Sequence, residues 1–482
     1  MNILSHFNAL IEKSFQKFLH HYFDKTLYLS KSSSFGNYYD FIHDLDQFST
    51  NFTKDIFISY IEFIDDCFFH SSYRKNYCTS KGFYERKNYV TLFGDISFKR
   101  RYYFDKTTNE HFFFVDLFLN LPKRKHFDPF VCSEIVNMSA SNSYSKAGNI
   151  TANKIGNRTL SNISISRATA RNIVMSFLPY INEVEEKKRV ERLFVMLDEK
   201  FVGSQFNQGI DHMIKAAVIF EDSKLEYKTK RKPDSINRYR LIGSHTCASI
   251  HNNLKSSVFD YIANHYDTNY LKEICFMGDC ATWIKNFSKY GYFKYNDRLN
   301  VTFSMDGFHF SQALKHITTN QNQHWYNALL HSVKKNKKEL FRNLCERFIL
   351  EHKSRETTIR SKMEYILNNW NERQMYQSKS YLKCSMESHI SHIFADLFTS
   401  RPKAYSKKGL EKLLQIRLLK VNGYNLKELY LYSINHFTSS THSDSFSEDF
   451  ESLHLNFNSF DLYDMEYPLS VSTEKKLSFQ QS

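Results

Sequence analysis

Two apolar runs, each ending in a carboxylate, constrain this chain most. Leu193-Phe194-Val195-Met196-Leu197 runs into Asp198, and Ile274-Cys275-Phe276-Met277 is stopped by Gly278-Asp279. Short apolar runs closed by turn formers read as buried strands. In sheet-centred folds, ligands collect at the C-terminal ends of strands. Two acidic strand ends that one sheet can place side by side are the pattern of a site for hard cations.

The chain around these runs predicts an α/β core. Apolar stretches at Met213 to Phe220 and at Tyr239 to Ile242 lie close enough to Phe194–Leu197 for an antiparallel meander. The turn between the last two is basic, carrying Lys228, Lys230, Arg231 and Lys232. A helix over Leu254 to His265, the Asp279 strand and a strand from Asn300 to Phe303 complete a β-β-β-α-β-α-β order. That order describes a mixed sheet flanked by helices.

Upstream, residues 2–23 and 38–70 carry apolar residues at helical spacing, and the period changes to two from Asn88. Tyr89 to Phe93, then Gly94-Asp95, then Ile96 to Tyr103 reads as a tight β-hairpin turning at Gly94-Asp95. Lys99, Arg100 and Arg101 beside Tyr102 and Tyr103 form either a face for a phosphate backbone or an edge strand guarded by charge. Residues 127–188 read as helical. One helix opens at Ser143 and breaks at Gly156-Asn157-Arg158; a second opens at Ser164 and exposes Arg167 and Arg171, the outline of a helix-turn-helix. Downstream of Gln312 the pattern is helical to about Phe398. It includes Lys334-Lys335-Asn336-Lys337-Lys338, most simply a solvated face.

With 482 residues the chain exceeds one hydrophobic core, and the 41% hydrophobic content supplies several. We divide it at 1–85 (helical), 86–125 (hairpin), 126–190 (helical, DNA-binding), 191–311 (core with both Asp), 312–384 (helical insertion), 385–440 (helices) and 441–482 (acidic tail). The net charge of +14 is uneven: residues 441–482 hold eight acids and two lysines, so the remainder carries +20. A body this basic suits a polyanionic partner such as nucleic acid. The eight cysteines are scattered, with no CxxC pair and several inside apolar runs, so neither a zinc finger nor a disulfide framework follows. No uncharged stretch reaches the ~18 residues of a membrane span, so a cytoplasmic, nucleoid-associated protein without a membrane partner is expected.

Further acidic and histidine residues stand out at Asp306 with His309, and at Glu387 with His389 and His392. Singly, each reads as a turn former or a helix cap. Together they form an ordered series: Gly278-Asp279-Cys280-Ala281-Thr282-Trp283-Ile284, then Asp306-Gly307-Phe308-His309, then Glu387-Ser388-His389-Ile390-Ser391-His392, then Ser400-Arg401-Pro402. This series, with the Gly94-Asp95-Ile96-Ser97-Phe98-Lys99-Arg100-Arg101-Tyr102-Tyr103 hairpin, resembles a group of bacterial insertion-sequence transposases long filed as an uncharacterised protein family and distantly similar to the Mutator-like transposases. The resemblance covers roughly residues 60 to 420.

The resemblance implies an RNase H-like catalytic domain with a helical insertion, joined to a helical and α+β N-terminal DNA-binding region. It implies an Asp198, Asp279, Glu387 triad binding two Mg²⁺ ions, with Mn²⁺ as a substitute, and supporting roles for Asp306, His309, Trp283, His389 and His392. The partners implied are the double-stranded DNA of the mobile or integrative element's ends and its target, with a homo-oligomer assembled on them. The chain departs from the family at Glu199, Cys280 and Ser388, and none of these removes a ligand. A catalytically degenerate DNA-binding protein and a structure-specific nuclease on the same fold are the competing readings.

Overall fold

The computed structural model describes residues 8–9, 11–13, 15–17, 19–20, 38–119, 121, 125–159, 162–182, 186–205, 211–227, 238–295, 298–319, 322–375, 386–399 and 404–443. The Lys228 to Lys232 turn and the acidic tail beyond residue 443 lie outside them. The described chain divides into two compact units: one from residues 1–138, 144–180 and 427 onward, the other from residues 139–143 and 181–426. No helix among the described residues is long and apolar enough to cross a membrane.

The first unit is built on a long helix, α1 (Tyr38–His70), as the spacing predicted. A short α2 (Ser72–Tyr77) leads into an antiparallel sheet of β1 (Cys78–Thr91), β2 (Gly94–Asp105) and β3 (His111–Phe113), in the order β1-β2-β3. Ile61, Ile64 and Phe68 of α1 pack with Tyr89, Ile96, Phe98 and Tyr103 of the sheet into one core, closed by Phe114 and Val115 of α3 (Phe114–Phe118). The hairpin turns two residues earlier than the sequence suggested. Thr91 pairs with Gly94, so Leu92 and Phe93 form the loop. The Thr91 hydroxyl stabilises that turn, accepting from the Phe93 N–H and donating to the Gly94 carbonyl, and Gly94 supplies the left-handed φ of 101°.

Three helices follow: α4 (Pro129–Ser139), α5 (Tyr144–Thr159) and α6 (Arg167–Ser176). α5 runs through Gly156-Asn157-Arg158 without the expected break. α6 begins at Arg167, capped by Ser166, whose hydroxyl accepts from the Thr169 N–H at 3.0 Å. The C-terminal helix Leu426–Ser443 belongs largely to this unit, where the Ser433 hydroxyl accepts from the Tyr180 N–H. Lys427 and Lys154 both reach the buried Glu134 of α4.

The second unit centres on a mixed five-stranded sheet of β4 (Arg192–Val202), β5 (His212–Phe220), β8 (His245–Ser249), β9 (Glu273–Gly278) and β10 (Asn300–Met305), in the order β10-β9-β4-β5-β8. β4 runs parallel to β9, and β9 to β10, while β5 is antiparallel to both β4 and β8. One prediction shifts here. The run at Tyr239 to Ile242 is not the third meander strand. It falls in β7 (Arg238–Ile242), which pairs with β6 (Asp222–Tyr227) as a separate ribbon, and the sheet position is taken by His245–Ser249. Leu193, Val195, Leu197, Ile274 and Phe276 pack on α7 (Leu254–His265) and α8 (Thr282–Tyr295), which supply Val258, Phe259, Ile262, Ile284 and Phe287.

Beyond β10 the chain is helical: α9 (Gly307–Thr318), α10 (Gln323–Lys334), α11 (Lys338–Glu351), α12 (Glu356–Asn368) and α13 (Trp370–Met375). These helices bury a core of their own around Leu314, Leu329, Phe341, Phe348, Met363 and Trp370. The chain is thus helical from Gly307, slightly earlier than the sequence suggested. The chain then resumes as α14 (Met386–Ile390), a wide-turn segment Ser391–Thr399 and α15 (Lys407–Val421).

Candidate active site

The parallel register aligns the acidic strand ends. Met196 on β4 lies opposite Met277 on β9, so two residues further on Asp198 comes beside Asp279, on strands spaced by about 4.8 Å. Met305 on β10 lies opposite Gly278, so one residue further on Asp306 flanks Asp279 on its other side. Gly278 is needed for this closeness: a Cβ there would lie 2.9 Å from the Leu197 carbonyl oxygen and 2.9 Å from Ile284 Cγ2. Three carboxylates thus lie in a row across three neighbouring parallel strands: Asp279 and Asp306 just past the ends of β9 and β10, and Asp198 within β4, which does not stop there as the sequence suggested but continues to Val202 along β5.

Their surroundings separate their roles. Asp198 is buried, and its Oδ1 accepts the Glu199 N–H at 2.8 Å. Asp279 is half-buried; its Oδ1 accepts the Ala281 N–H at 2.9 Å, and its carbonyl accepts the Tyr365 hydroxyl at 2.6 Å. Asp306 caps α9, with Oδ1 accepting from the Phe308 N–H at 3.1 Å, while Oδ2 lies 2.9 Å from His309 Nδ1. Both Asp306 oxygens are therefore engaged within the protein. The hydrogen bond to Asp306 raises the His309 pKa above its ordinary value, against the opposing effect of burial; the negative charges of Asp306, Asp279 and Asp198 add to the rise.

Trp283 donates its indole N–H to Glu199 Oε2 at 2.6 Å, and Lys215 Nζ lies 5.4 Å from the Trp283 ring centroid. Glu372 of α13 pairs with Lys285 of α8 at 3.0 Å, and its carbonyl accepts the Ser304 hydroxyl. Lys215, Lys285, Tyr365 and Glu199 were not selected from the sequence. No local pattern marks them, because each reaches the site from a different element.

The backbone of Glu387 lies on α14, and α14 with the wide-turn segment packs against β4; the Glu387 side chain lies outside the described residues. The return is held by Arg417 of α15, whose guanidinium donates to the Ile393 and His392 carbonyls at 2.8 and 2.9 Å. Tyr405 fastens the following chain to the end of β4 through backbone bonds to Gly203 and Gln205. His389 is half-buried and burial lowers its pKa, with His392 adding to the drop; His392 itself is exposed.

The expected phosphate face on β2 does not form. Arg100 turns inward, its Nε 3.0 Å from Asp116 Oδ1 and its guanidinium 4.0 Å from the Phe113 ring centroid. Arg101 is held by Asp65 and Asp66 at 2.9 and 2.6 Å and lies against the rings of Phe69 and Phe83. β2 is also the middle strand, so charge does not guard an edge there. Lys99 remains exposed, as do Arg167 and Arg171, one helical turn apart on α6.

Asp198 and Asp279 suit a hard divalent cation in ligand type and placement, since Mg²⁺ takes carboxylate oxygens. Among the described residues no group of three His, Cys, Asp or Glu side chains is set to hold a metal ion.

The chain was compared with known proteins. UPF0236 protein TTE0402 of Caldanaerobacter subterraneus subsp. tengcongensis is 24% identical over 351 residues, covering 72% of this chain and 66% of that protein. UPF0236 protein TTE2489 of the same organism is 23% identical over 351 residues, covering 72% and 70%. A further relative there, 23% identical over 354 residues and covering 72% and 70%, carries eleven TTE designations joined in one name. The chain spans about two thirds of the length of these relatives. No solved structure matches it. The model of the uncharacterised protein family UPF0236 matches residues 39–432, and the chain belongs to that family.

Proposed function

We propose that this chain is the DNA transposase of a mobile element, cleaving and joining strands at a site formed by Asp198, Asp279 and Glu387. The observation that carries the reading is the register that sets Asp198 beside Asp279 on adjacent parallel strands, with the helix of Glu387 packed on the Asp198 strand. Sheet order supports an RNase H-like core: the first strand is central, the second lies antiparallel beside it with the third antiparallel to the second, and the fourth and fifth run parallel to the first on the other side. A relative that carries eleven designations in one organism fits a sequence copied within a genome.

Asp198, Asp279 and Glu387 would hold Mg²⁺ through hard oxygens. When bound, two such ions supply an activated water or 3′-hydroxyl and stabilise the leaving oxygen in an in-line phosphoryl displacement. The chain's own residues fix the frame. Tyr365 anchors the Asp279 backbone, Trp283 holds the Glu199 carboxylate, and Lys285 offsets Glu372. His309 is held against Asp306, its Nδ1 2.9 Å from the Asp306 Oδ2.

The test is Mg²⁺-dependent cleavage and joining of duplex DNA by the full chain. Asp198→Asn and Asp279→Asn should each lower cleavage by more than about a hundredfold, since even outer-shell changes at metal sites cost 10–100-fold. Glu387→Gln should match them, while Glu372→Gln retains cleavage. Joined products identify a transposase, and cleavage without joining identifies a nuclease. Unchanged cleavage in either Asp variant would overturn the proposal.

A further inference from the structure

We propose that the turn Lys334-Lys335-Asn336-Lys337-Lys338, between α10 and α11, grips the phosphate backbone of duplex DNA. The inference rests on the DNA reading above and extends it to a surface of the helical insertion. Four of the five side chains carry ammonium groups, and all five residues are exposed. Two arginines elsewhere on this bundle are neutralised: Arg360 pairs with Glu346 and Glu356, and Arg342 with Glu339, the acid next to the turn. None of the four lysines meets a carboxylate among the described residues. Like charges this close repel one another, and an external polyanion relieves that repulsion.

The turn is also built to stay in place. Asn336 takes a left-handed φ of 55°, and its Oδ1 accepts the indole N–H of the buried Trp370 at 2.7 Å. The Lys335, Asn336 and Lys337 N–H groups donate to the His331, Val333 and Ser332 carbonyls. A fixed backbone presents the four ammonium groups with little ordering cost on binding. The anchoring also points toward the strand ends. Trp370 opens α13, which packs on β10, and Glu372 of α13 pairs with Lys285 of α8, the helix that follows Asp279. DNA held at this turn would therefore run near the carboxylate edge.

The experiment measures binding of the full chain to a random-sequence duplex of about 30 base pairs, from about 0.05 to 0.3 M salt, where each phosphate contact contributes a slope near −0.9 in log K against log salt. Changing Lys334, Lys335, Lys337 and Lys338 together to Gln should weaken binding at least about tenfold near 0.1 M salt and make the slope shallower by about 2 to 4. Changing the same four to Arg should preserve affinity and slope. A control removing equal charge from the exposed Lys224, Lys289, Lys294 and Lys353, outside the N-terminal region, should leave the slope within about 1 of the unaltered chain. Wild-type affinity and slope in the Gln variant, or an equal loss in the control, would overturn the inference and leave the transposase reading standing. Failure of the unaltered chain to bind the duplex would remove both.

Discussion

Arg100 and Arg101 show how a strand rich in cations and aromatics can serve the interior. Their partners are Asp65, Asp66 and Asp116, acids on α1 and α3 far enough away in sequence to be invisible to a reading of β2 alone. Removing one member of a buried ion pair leaves an uncompensated charge and costs about 3–5 kcal/mol. Arg101→Ala should therefore lower the stability of the first unit by about 3 kcal/mol, read by denaturant unfolding, because Asp65 is left buried. DNA affinity of the folded variant should fall less than about threefold, as expected for a residue with no phosphate contact. A large loss of affinity at unchanged stability would return Arg101 to the DNA face. Asp198 and Asp279, in contrast, stood out as carboxylates closing apolar runs; Asp279 follows the end of β9, whereas β4 continues past Asp198 to Val202.

Elements were legible where one periodicity persisted. α1, α7 and β9 lie where the pattern set them, whereas the third sheet strand was missed because His245-Thr246-Cys247-Ala248-Ser249 has little apolar contrast. Its edge is covered by Asn422, whose amide accepts the Thr246 N–H and donates to the Thr246 carbonyl, a contact with no local sequence mark. α4 opens on Asp128-Pro129, an N-cap followed by proline at the first helical position. Asp128 Oδ1 accepts the Val131 N–H at 2.6 Å, and burial pushes the Asp128 carboxyl up to about 6 from 3.8. The folded state thus binds this proton more tightly than the unfolded chain. Its stabilisation is complete below about pH 4 and is lost as the pH rises through 6. Asp128→Asn keeps the cap and removes the titration, so it should flatten the pH dependence of unfolding between pH 4 and 6 by about 1–3 kcal/mol. An identical pH profile in the variant would contradict this account of Asp128.

At the scale of the whole molecule, the sequence order was misleading in one respect: the helix Leu426–Ser443 belongs largely with the N-terminal unit, supplying Lys427 to Glu134 and Ser433 to Tyr180. No local signal carries that assignment, because it depends on closing a separation of 253 residues. The helical stretch after β10 was legible as a loss of strand signal; it buries a core of its own before α14 packs against β4. The central claim is that this return completes a cation site on the strand ends. Calorimetric titration of Mn²⁺ into the full chain tests it without DNA. The account predicts about two ions per chain, with binding at least about tenfold weaker in Asp198→Asn and in Asp279→Asn, both verified as folded by thermal unfolding. Wild-type stoichiometry and affinity in both variants would place any cation elsewhere and contradict the account.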